Sequence, residues 1–255
     1  MKTAGGKMIL LTQHDQAQSQ RIRKCLEALG HQCVTTLSDP CEAISANQFS
    51  LVVLDIVLPG RCGLDVCRQI RRQYPLLPVI IATASQSETD HILALELGAD
   101  DVVMLSCHDR VLQARVKVQL RRYRPEYEEK PPECHLLQSG RLSLDIKSHQ
   151  ARIGERALPL TATEFMLLAH FVRHPNQVFS RNQLLETVWG HQLDCYEHTV
   201  VSHINRLRSK LAADESVAAM LETVRVVGYR FTPRPPVSSL RQHRASADRY
   251  SAATY

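Results

Sequence analysis

The chain has 255 residues, of which 44% are hydrophobic and 22% charged, a composition typical of a soluble globular protein with one or two domains. These values exclude a fibre, a coiled coil and a wholly disordered chain. No run approaches the roughly 18 apolar residues of a membrane helix, and the first residues do not read as a signal peptide. We therefore expect a cytoplasmic protein without a membrane partner. A net charge of +5 favours a polyanionic partner.

The first half of the chain alternates short apolar runs with amphipathic stretches. The runs span residues 8–12, 34–37, 51–54, 79–82 and 102–105. Runs of this length fit buried parallel strands, and the stretch 16–29 has a helical apolar stripe that closes at Gly30. The pattern predicts an α/β domain with a doubly wound parallel sheet at residues 8–122, preceded by a short extension at 1–7.

A change of composition marks the domain boundary. Residues 123–138 hold three prolines among mixed charges, which is typical of a linker. Beyond it, at 139–232, we predict short strands at 141–146 and 150–153, three helices, and a terminal strand pair at 222–226 and 229–232. This order favours an α+β winged helix-turn-helix. Residues 233–255 are poor in apolar side chains, which predicts a disordered tail.

Capping boxes predict where the first two helices of this second domain begin. Thr161 is followed three residues later by Glu164, and Ser180 by Gln183. The third helix, predicted at 197–211, has two different faces. Its apolar seam is formed by Val200, Ile204, Leu207 and Leu211.

The opposite face of this third helix has the chemistry of a DNA-reading surface. Thr199, Ser202 and Arg206 cluster there, with His203 and Lys210 at their flanks. An arginine in the major groove can donate two hydrogen bonds to guanine, and a threonine methyl can contact thymine. Arg206 is therefore the best candidate for reading a base. The alternative is an ordinary solvated helix face.

The second domain resembles the effector domain of OmpR/PhoB-type response regulators. The resemblance is carried by Leu160-Thr161, Glu164-Phe165, Leu167-Leu168, Val178-Phe179-Ser180-Arg181, Leu184-Leu185, Val188-Trp189-Gly190, Thr199-Val200, His203-Ile204, Arg206-Leu207-Arg208, Lys210-Leu211, Thr223-Val224-Arg225 and Gly228-Tyr229-Arg230-Phe231.

This resemblance implies double-stranded DNA as the partner. It implies that Thr199, Ser202 and Arg206 face the major groove and that Arg225 on the wing reaches the minor groove. It also implies phosphate contacts, from Trp189, His198, His203 and Arg208, although core packing is the stronger interpretation of Trp189. Two positions depart from the pattern: Val201 replaces a common Asp, and Val226 replaces a Gly in the wing turn, where a β-branched residue resists a positive φ.

The first domain resembles a receiver domain, with the flavodoxin/CheY-like fold. The resemblance is carried by Leu51-Val-Val-Leu-Asp55-Ile-Val-Leu-Pro59-Gly60 with Gly63-Leu64, Thr83-Ala84 and Gly98-Ala99-Asp100-Asp101. It implies that Asp55 is the phosphoacceptor, at the carboxyl end of a strand where ligands gather, and that Thr83 could hydrogen-bond it.

The residues around Asp55 lack the family's chemistry. Where the family has two acidic residues and a lysine, this chain has Gln13, His14 and Leu105. Mg²⁺ prefers hard oxygen ligands, and phosphoryl transfer depends on charge neutralisation. Asp15 lies one residue too late and could reach the site only by swinging inward. The family's aromatic switch position holds Val102.

We therefore interpret the domain as a degenerate receiver that controls transcription with little or no dependence on Asp55 phosphorylation. Mg²⁺ binding should be weak or absent, and no other cofactor is predicted. Cyanobacterial stress regulators of the non-bleaching type are similar in this respect. The alternative is a conventional response regulator that depends on phosphorylation.

The family resemblance also implies a homodimer through the fourth helix, fifth strand and fifth helix of the receiver. Two cross-subunit pairs map onto Asp101 with Arg115 and Glu96 with Lys117, whereas a third pair is lost at His91 and Val111. An exposed ion pair contributes about 0–1 kcal/mol, so we expect a dimer that forms without phosphate. RNA polymerase is an expected partner, through residues 189–197. Whether a sensor histidine kinase is also a partner is left open.

Other classes of function compete with this interpretation. A redox or metal sensor would use some of the eight cysteines, but none has a C-x-x-C or zinc-ligand spacing, and reduced thiols are the default. Cys195 is the cysteine to label first. An enzyme is not predicted, because the chain has no Gly-rich phosphate loop and no nucleophile-elbow or zinc-protease motif. A protein adaptor without DNA binding would follow if Val226 disabled the wing.

Overall fold

The computed structural model describes residues 7–122, 136–190 and 197–233. Several predictions fall outside these ranges: most of the extension and of the linker, the loop 191–196 with Cys195, and the tail beyond residue 233. Within the described ranges, no helix combines the length and apolarity needed to cross a membrane.

The first domain is a five-stranded parallel sheet with helices on both faces. In chain order its elements are β1 (Met8–Thr12), α1 (Gln16–Glu27), β2 (Gln32–Thr35), α2 (Pro40–Ala46), β3 (Leu51–Leu54), β4 (Val57–Leu58), β5 (Arg61–Cys62), α3 (Gly63–Gln73), β6 (Val79–Thr83), α4 (Glu88–Leu97), β7 (Asp101–Met104) and α5 (Asp109–Arg122). The strand order is β2-β1-β3-β6-β7, with all neighbours parallel. The predicted doubly wound α/β sheet is confirmed.

The core of this domain lies on both faces of the sheet. The residues of β3 and β6 are all buried, and alternate side chains of these strands belong to two separate apolar clusters. A sheet covered on both faces explains why its strands appear in the sequence as continuous apolar runs. Asp15, Asp39 and Ser87 cap α1, α2 and α4 through their side chains, which fixes where each helix begins.

Three strands of this domain have bounds that differ from the predictions. Strand β2 covers 32–35 rather than 34–37, β6 extends to Thr83, and β7 begins at Asp101. The reason is that an apolar run marks what is buried, whereas the bounds of a strand follow the register with its neighbours. Thus β2 is set by the pairing of Met8 with Gln32. The short β4–β5 hairpin after Asp55 was not predicted.

The second domain consists of an antiparallel sheet, a helical core and a terminal hairpin. Its elements are β8 (Leu136–Ser139), β9 (Leu142–Asp145), β10 (Gln150–Ile153), β11 (Arg156–Leu158), α6 (Ala162–Arg173), β12 (Val178–Phe179), α7 (Arg181–Trp189), α8 (Glu197–Leu211), α9 (Glu215–Ala218), β13 (Leu221–Val224) and β14 (Gly228–Phe231). The sheets have the orders β11-β10-β9-β8 and β12-β14-β13. This is the predicted winged helix-turn-helix, with β8 beginning inside the stretch assigned to the linker.

Both predicted capping boxes form. The hydroxyl of Thr161 accepts from the Glu164 N–H at 3.2 Å, while the Glu164 carboxylate accepts from the Thr161 N–H at 2.9 Å. Ser180 and Gln183 repeat this arrangement at the start of α7. These caps satisfy N–H groups that have no partner within the helix.

The wing is the β13–β14 hairpin. The Val227 N–H donates to the Val224 carbonyl at 3.1 Å, so the chain turns through Arg225 and Val226. Val226 has a φ of 68° and is fully exposed. The hairpin thus forms although a β-branched residue occupies a position that favours glycine.

Candidate phosphoacceptor site and DNA-reading helix

Asp55 lies just after β3, at the carboxyl edge of the sheet. It is 3% exposed, and its N–H donates to the Thr12 carbonyl. The Oδ2 atom lies 2.9 Å from Nδ1 of His14, which follows β1. An imidazole, half-exposed to solvent, therefore hydrogen-bonds the carboxylate of the predicted phosphoacceptor.

Gln13 and Leu105, the other two positions where the family's charged residues are replaced, also lie at the carboxyl ends of their strands. Gln13 is buried, and its side-chain oxygen accepts from the Asp15 N–H at 3.1 Å. Leu105, which follows β7, is buried among apolar side chains, and its N–H donates to the Thr83 carbonyl. An apolar side chain cannot neutralise a phosphoryl oxygen.

Asp15 does not replace the missing acid. Its carboxylate accepts from the Gln18 N–H at 3.0 Å and caps α1. A side chain engaged at the start of a helix is not available as a ligand beside Asp55.

The expected hydrogen bond between Thr83 and Asp55 is not formed, so that expectation was wrong. The Thr83 hydroxyl is buried and accepts instead from the Ser85 N–H at 3.1 Å. The physical reason is local: the chain turns directly after β6, and the hydroxyl satisfies an N–H of that turn.

Mg²⁺ is the ion that a receiver domain implies, and the donor set beside Asp55 does not fit it. Mg²⁺ requires near-octahedral oxygen coordination, normally with more than one carboxylate. Here the nearest side chain to the carboxylate supplies an imidazole nitrogen. In the part of the chain described by the structure, no group of three or more His, Cys, Asp or Glu side chains could hold a metal ion.

Four of the six cysteines that the structure describes resemble buried small apolar residues more than reactive thiols. Cys25, Cys33, Cys41 and Cys67 are buried, and burial raises the pKa of each thiol, to about 11 for Cys33 and for Cys67. A raised pKa lowers the thiolate fraction and hence the reactivity.

Helix α8 has the apolar seam that the sequence predicts. Val200, Ile204, Leu207 and Leu211 are all fully buried and belong to the main core of the second domain. The helix is thereby fixed against α6 and α7, with its polar face turned away from that core.

The polar face of α8 is not open to solvent in this structure, because it lies against the first domain. Helix α4 packs on α8. Thr199 is 4% exposed, Ser202 3% and His203 0%, and the Arg206 side chain is 14% exposed. In this conformation the receiver therefore covers the predicted reading face.

Two residues between α4 and β7 accept hydrogen bonds from the second domain. The carbonyl of Asp100 accepts from Nε2 of His203 at 3.3 Å and from Nε1 of Trp189 at 3.4 Å, and the carbonyl of Ala99 accepts from Arg206 at 3.3 Å. The carboxylate of Asp100 accepts from the Thr163 hydroxyl at 3.0 Å. One turn of the receiver thus contacts α6, α7 and α8.

This turn is held rigidly from inside the receiver. Arg71 on α3 donates to the Gly98 carbonyl and to the Asp100 carboxylate, the latter at 2.6 Å, and the Val79 N–H donates to the same carboxylate at 3.0 Å. The Asp100 side chain is 1% exposed. Contacts within the receiver therefore hold Asp100 in place.

Contacts with polar side chains partly replace the water that the Arg206 guanidinium loses on burial. It donates to Nδ1 of His203, and its guanidinium lies 3.5 Å from the Glu164 carboxylate. Burial nevertheless lowers the pKa of Arg206, with the carboxylate of Glu164 acting in the opposite direction.

Two of the residues expected near DNA phosphates have structural contacts. Trp189 is fully buried, as the core-packing interpretation had it. Arg208 donates to the Leu221 carbonyl and to the Thr223 hydroxyl, and it lies over the Tyr229 ring, so it joins α8 to the wing. The helical wheel alone does not distinguish an arginine that joins two elements of the fold from an arginine that binds phosphate.

Two other residues expected at the DNA, His198 and the wing residue Arg225, lie at the surface. His198 is half-exposed and forms an ion pair with Glu88 of α4 at 2.8 Å when its ring is protonated. Arg225 is exposed on the wing. Within the described ranges, the wing and His198 are the parts of the expected DNA surface that solvent reaches most readily.

The predicted dimer face is also partly engaged in contacts within the chain. Arg115 donates to the Asp101 carboxylate of its own chain, and both side chains are buried, so this pair is intramolecular here rather than cross-subunit. Glu96 and Lys117 are exposed. Helix α4 carries part of this face, and α8 packs on it.

Comparisons with known proteins agree with this architecture. Residues 9–117 match the family model described as response regulator receiver domain, and residues 154–231 match the one described as transcriptional regulatory protein, C terminal. Together these two modules define a response regulator that binds DNA. The chain belongs to the OmpR/PhoB family of transcriptional response regulators, which are not enzymes.

Among its relatives are the phosphate regulon transcriptional regulatory protein PhoB of Rhizobium meliloti, 36% identical over 87% of this chain and 96% of the relative, and the DNA-binding response regulator MtrA of Mycolicibacterium smegmatis, 35% identical over 88% and 96%. A solved structure of a RitR mutant aligns with a TM-score of 0.69 at 22% identity, covering 90% of this chain and 100% of that one, which shows a shared fold.

Proposed function

We propose that this DNA-binding regulator controls transcription with little or no dependence on phosphorylation of Asp55. The observation that carries the proposal is the hydrogen bond between His14 and Asp55 at 2.9 Å. The imidazole lies where the family's acidic ligand would be, and it contacts the same carboxylate that would accept the phosphoryl group.

The chemistry of phosphoryl transfer supports this proposal. Catalysis of this reaction consists almost entirely of positioning and of neutralising charge on the transferred group. Neither an amide at Gln13 nor an alkyl side chain at Leu105 supplies a counter-charge. Mg²⁺ binding beside Asp55 is accordingly expected to be weak or absent.

For DNA recognition we assign the bases to Thr199, Ser202 and Arg206, and the phosphates to His198 and His203. Arg225 reaches the minor groove from the wing. The charge and hydrogen-bonding capacity of these side chains support the assignment. Trp189, whose ring packs beside that of His203, and Arg208, which donates to Thr223, contribute by fixing the position of α8.

We place the protein in the cytoplasm and expect it to bind DNA as a homodimer, with RNA polymerase as a further partner. The exposed side chains of Glu96 and Lys117 are available for a cross-subunit ion pair. A sensor kinase is not required by this proposal.

The decisive experiment compares the wild type with Gln13→Asp/His14→Asp/Leu105→Lys, which restores the family's residues. Each protein is treated with acetyl phosphate and Mg²⁺, and phosphorylation is measured by intact mass. We expect no phosphoprotein from the wild type and substantial phosphoprotein from the triple variant, lost again when Asp55→Ala is added. Mg²⁺-dependent phosphorylation of the wild type that also increases its DNA affinity would contradict the proposal.

A further inference from the structure

The wing tip, residues 225–227, holds the most exposed large apolar side chain in the part of the chain that the structure describes. Val226 is fully exposed, and Val227 beside it is 52% exposed. Arg225, the third residue of the tip, is also exposed. A side chain that stays wholly in water gains nothing from burial, so packing within the fold gives no reason for a valine at position 226.

The backbone makes valine still less favourable at this position. Val226 has a φ of 68°, a region that glycine adopts readily and that a β-branched residue rarely adopts. The other described non-glycine residues with a positive φ are His149 and Asn176, whose residue types are enriched in this region. Backbone strain is concentrated at functional sites, so this outlier points to a role in binding.

The wing is joined to α8, so its tip has a fixed place relative to the reading helix. Strands β13 and β14 pair through all four residues of each strand, and Arg230 donates to Glu222 across them at 2.9 Å. Arg208 of α8 donates to the Leu221 carbonyl and to the Thr223 hydroxyl. When α8 lies in a major groove, the wing tip is therefore presented at one definite place on the duplex.

The chemistry of the wing tip fits the minor groove of DNA. An A·T pair presents only acceptors on the floor of that groove, whereas a G·C pair adds the amino group at N2 of guanine. Proteins that bind this groove commonly combine basic residues with apolar side chains placed against the bases. Arg225 followed by Val226 is such a combination.

From these observations we propose that Val226 contacts the minor groove and selects an A·T pair there, which makes it a specificity-determining residue of the wing. The inference rests on the proposed function, in which α8 reads the major groove and Arg225 reaches the minor groove. The valine methyl groups pack over the floor of an A·T pair. At a G·C pair they meet the amino group at N2 and leave its exposed N–H without a partner, which costs free energy.

Two adjacent residues thereby have different tasks. The guanidinium of Arg225 attracts the phosphates of any sequence, whereas the branched alkyl group of Val226 rejects one class of base pair. Glycine at position 226 relieves the backbone strain and removes the contact with DNA. Stability and base preference should therefore change in opposite directions, which a purely structural role of Val226 would not produce.

Selection of binding sites tests the preference. Full-length wild type, Val226→Ala and Val226→Gly each select duplexes from a random pool, and far-UV circular dichroism confirms that each protein is folded. We expect a shared core read by α8 and, beside it, an A·T pair whose enrichment falls in Val226→Ala and disappears in Val226→Gly. Val227→Ala is the matched control, because it removes apolar surface from the same tip at a residue without positive φ, and it should retain the preference.

Analogue bases locate the contact in the minor groove. Diaminopurine in place of adenine adds an amino group there, and inosine in place of guanine removes one, while the major-groove edge keeps its donors and acceptors. By fluorescence anisotropy, diaminopurine at the selected pair should weaken wild-type binding roughly fivefold or more, the effect of a mismatched pair. Inosine should restore the binding that a G·C pair loses there. Val226→Gly should respond to either analogue by less than about twofold.

Four results would overturn the inference. The first is an A·T preference that is unchanged in Val226→Gly. The second is an equal response of both proteins to the analogues, which would assign the selection to Arg225 or to the shape of the DNA. The third is an equal loss of preference in Val227→Ala, and the fourth is a core that changes together with the flanking pair.

Failure of the proposed function would look different. If the wild type enriches no core sequence, the assignment of α8 as the reading helix fails, and the role of Val226 fails with it. If the core is enriched and only the flanking A·T preference is missing, the inference fails while the proposed function stands.

Discussion

Val226 combines two unfavourable features at a single residue. Its φ of 68° is strained for a β-branched side chain, and the side chain is fully exposed, so no packing offsets the strain. A non-glycine residue held in this region costs of order 1–3 kcal/mol. The cost is borne because the Val224–Val227 hydrogen bond closes the hairpin around it.

Val226→Gly is therefore expected to stabilise the second domain. Relief of the strain exceeds the entropic cost of glycine, about 0.5–1 kcal/mol, so the free energy of unfolding should rise by about 1 kcal/mol. Urea unfolding followed by Trp189 fluorescence measures it. The control is Val227→Gly next to it, at a position without positive φ, where the free energy of unfolding should fall. A fall in both variants would mean that the turn is not strained.

The buried thiols give a second prediction at this scale. Burial raises the pKa of Cys67 to about 11, so about 0.1% of this thiol is ionised at pH 8. In native protein treated with iodoacetamide, Cys62, which is exposed, should react long before Cys67.

Peptide mapping by mass spectrometry resolves the two sites. Because the Cys67 pKa is raised, its reaction rate should still increase about tenfold per pH unit at pH 9, and urea should remove the difference between the sites. Fast labelling of Cys67 in the folded protein would contradict its burial and reopen a role for this thiol in sensing.

At the scale of elements, the close approach of β14 to β12 depends on Gly228. A Cβ at this position would lie 2.0 Å from the Phe179 carbonyl oxygen, and the backbone has a φ of 155°. The two strands pair at Phe179 and Tyr229, so they would have to separate.

Gly228→Ala should accordingly lower the free energy of unfolding of the second domain by more than about 2 kcal/mol. Gly190→Ala serves as the control: the φ of Gly190 is 93°, but a Cβ there meets nothing within 4 Å. Its loss should be limited to the backbone strain. Equal losses would show that conformation, rather than the contact with Phe179, determines the role of Gly228.

For helix α8, replacement of Arg206 is expected to relax sequence preference more than it lowers affinity. On the proposed assignment, Arg206→Ala removes a bidentate base contact, worth about 1–3 kcal/mol of discrimination at one base pair. It also removes the hydrogen bond from Arg206 to the Ala99 carbonyl. In vitro selection of binding sites should show one position losing its preference. An unchanged selected sequence would exclude Arg206 from base reading.

At the scale of the whole molecule, DNA binding should depend strongly on salt, because neutralised phosphates release counterions. The logarithm of the binding constant should fall linearly with that of the salt concentration. Arg225→Ala should reduce the slope by about 1 while leaving sequence preference nearly unchanged. Fluorescence anisotropy at several salt concentrations measures this, and an unaltered slope would exclude Arg225 from the contact with DNA.

Much of this architecture could be predicted from the sequence. The apolar runs of β1, β3 and β6, the capping boxes at Thr161 and Ser180, and the seam of α8 depend on local patterns of burial and hydrogen bonding. The position of His14 beside Asp55 followed from the resemblance to a receiver, since equivalent residues at strand ends meet at one edge of the sheet.

The contact between the domains could not be predicted in this way. Ala99 and Asp100 act through backbone carbonyls, and a carbonyl has the same chemistry whatever side chain it carries. The pairing of Asp101 with Arg115 inside one chain could not be predicted for a related reason: opposite charges 14 positions apart pair equally well within a chain or between chains. Only the three-dimensional arrangement distinguishes the two.

The covering of α8 also has a consequence for how such a regulator would search a chromosome. Nonspecific attraction to DNA acts through exposed positive charge, and bulk genomic DNA presents very many competing sites. With Arg206 turned inward, a closed molecule would be held less by this background and would diffuse more freely between encounters. The Ala99–Asp100 turn, by accepting from Arg206 and His203, would then shorten the time lost on irrelevant sequence.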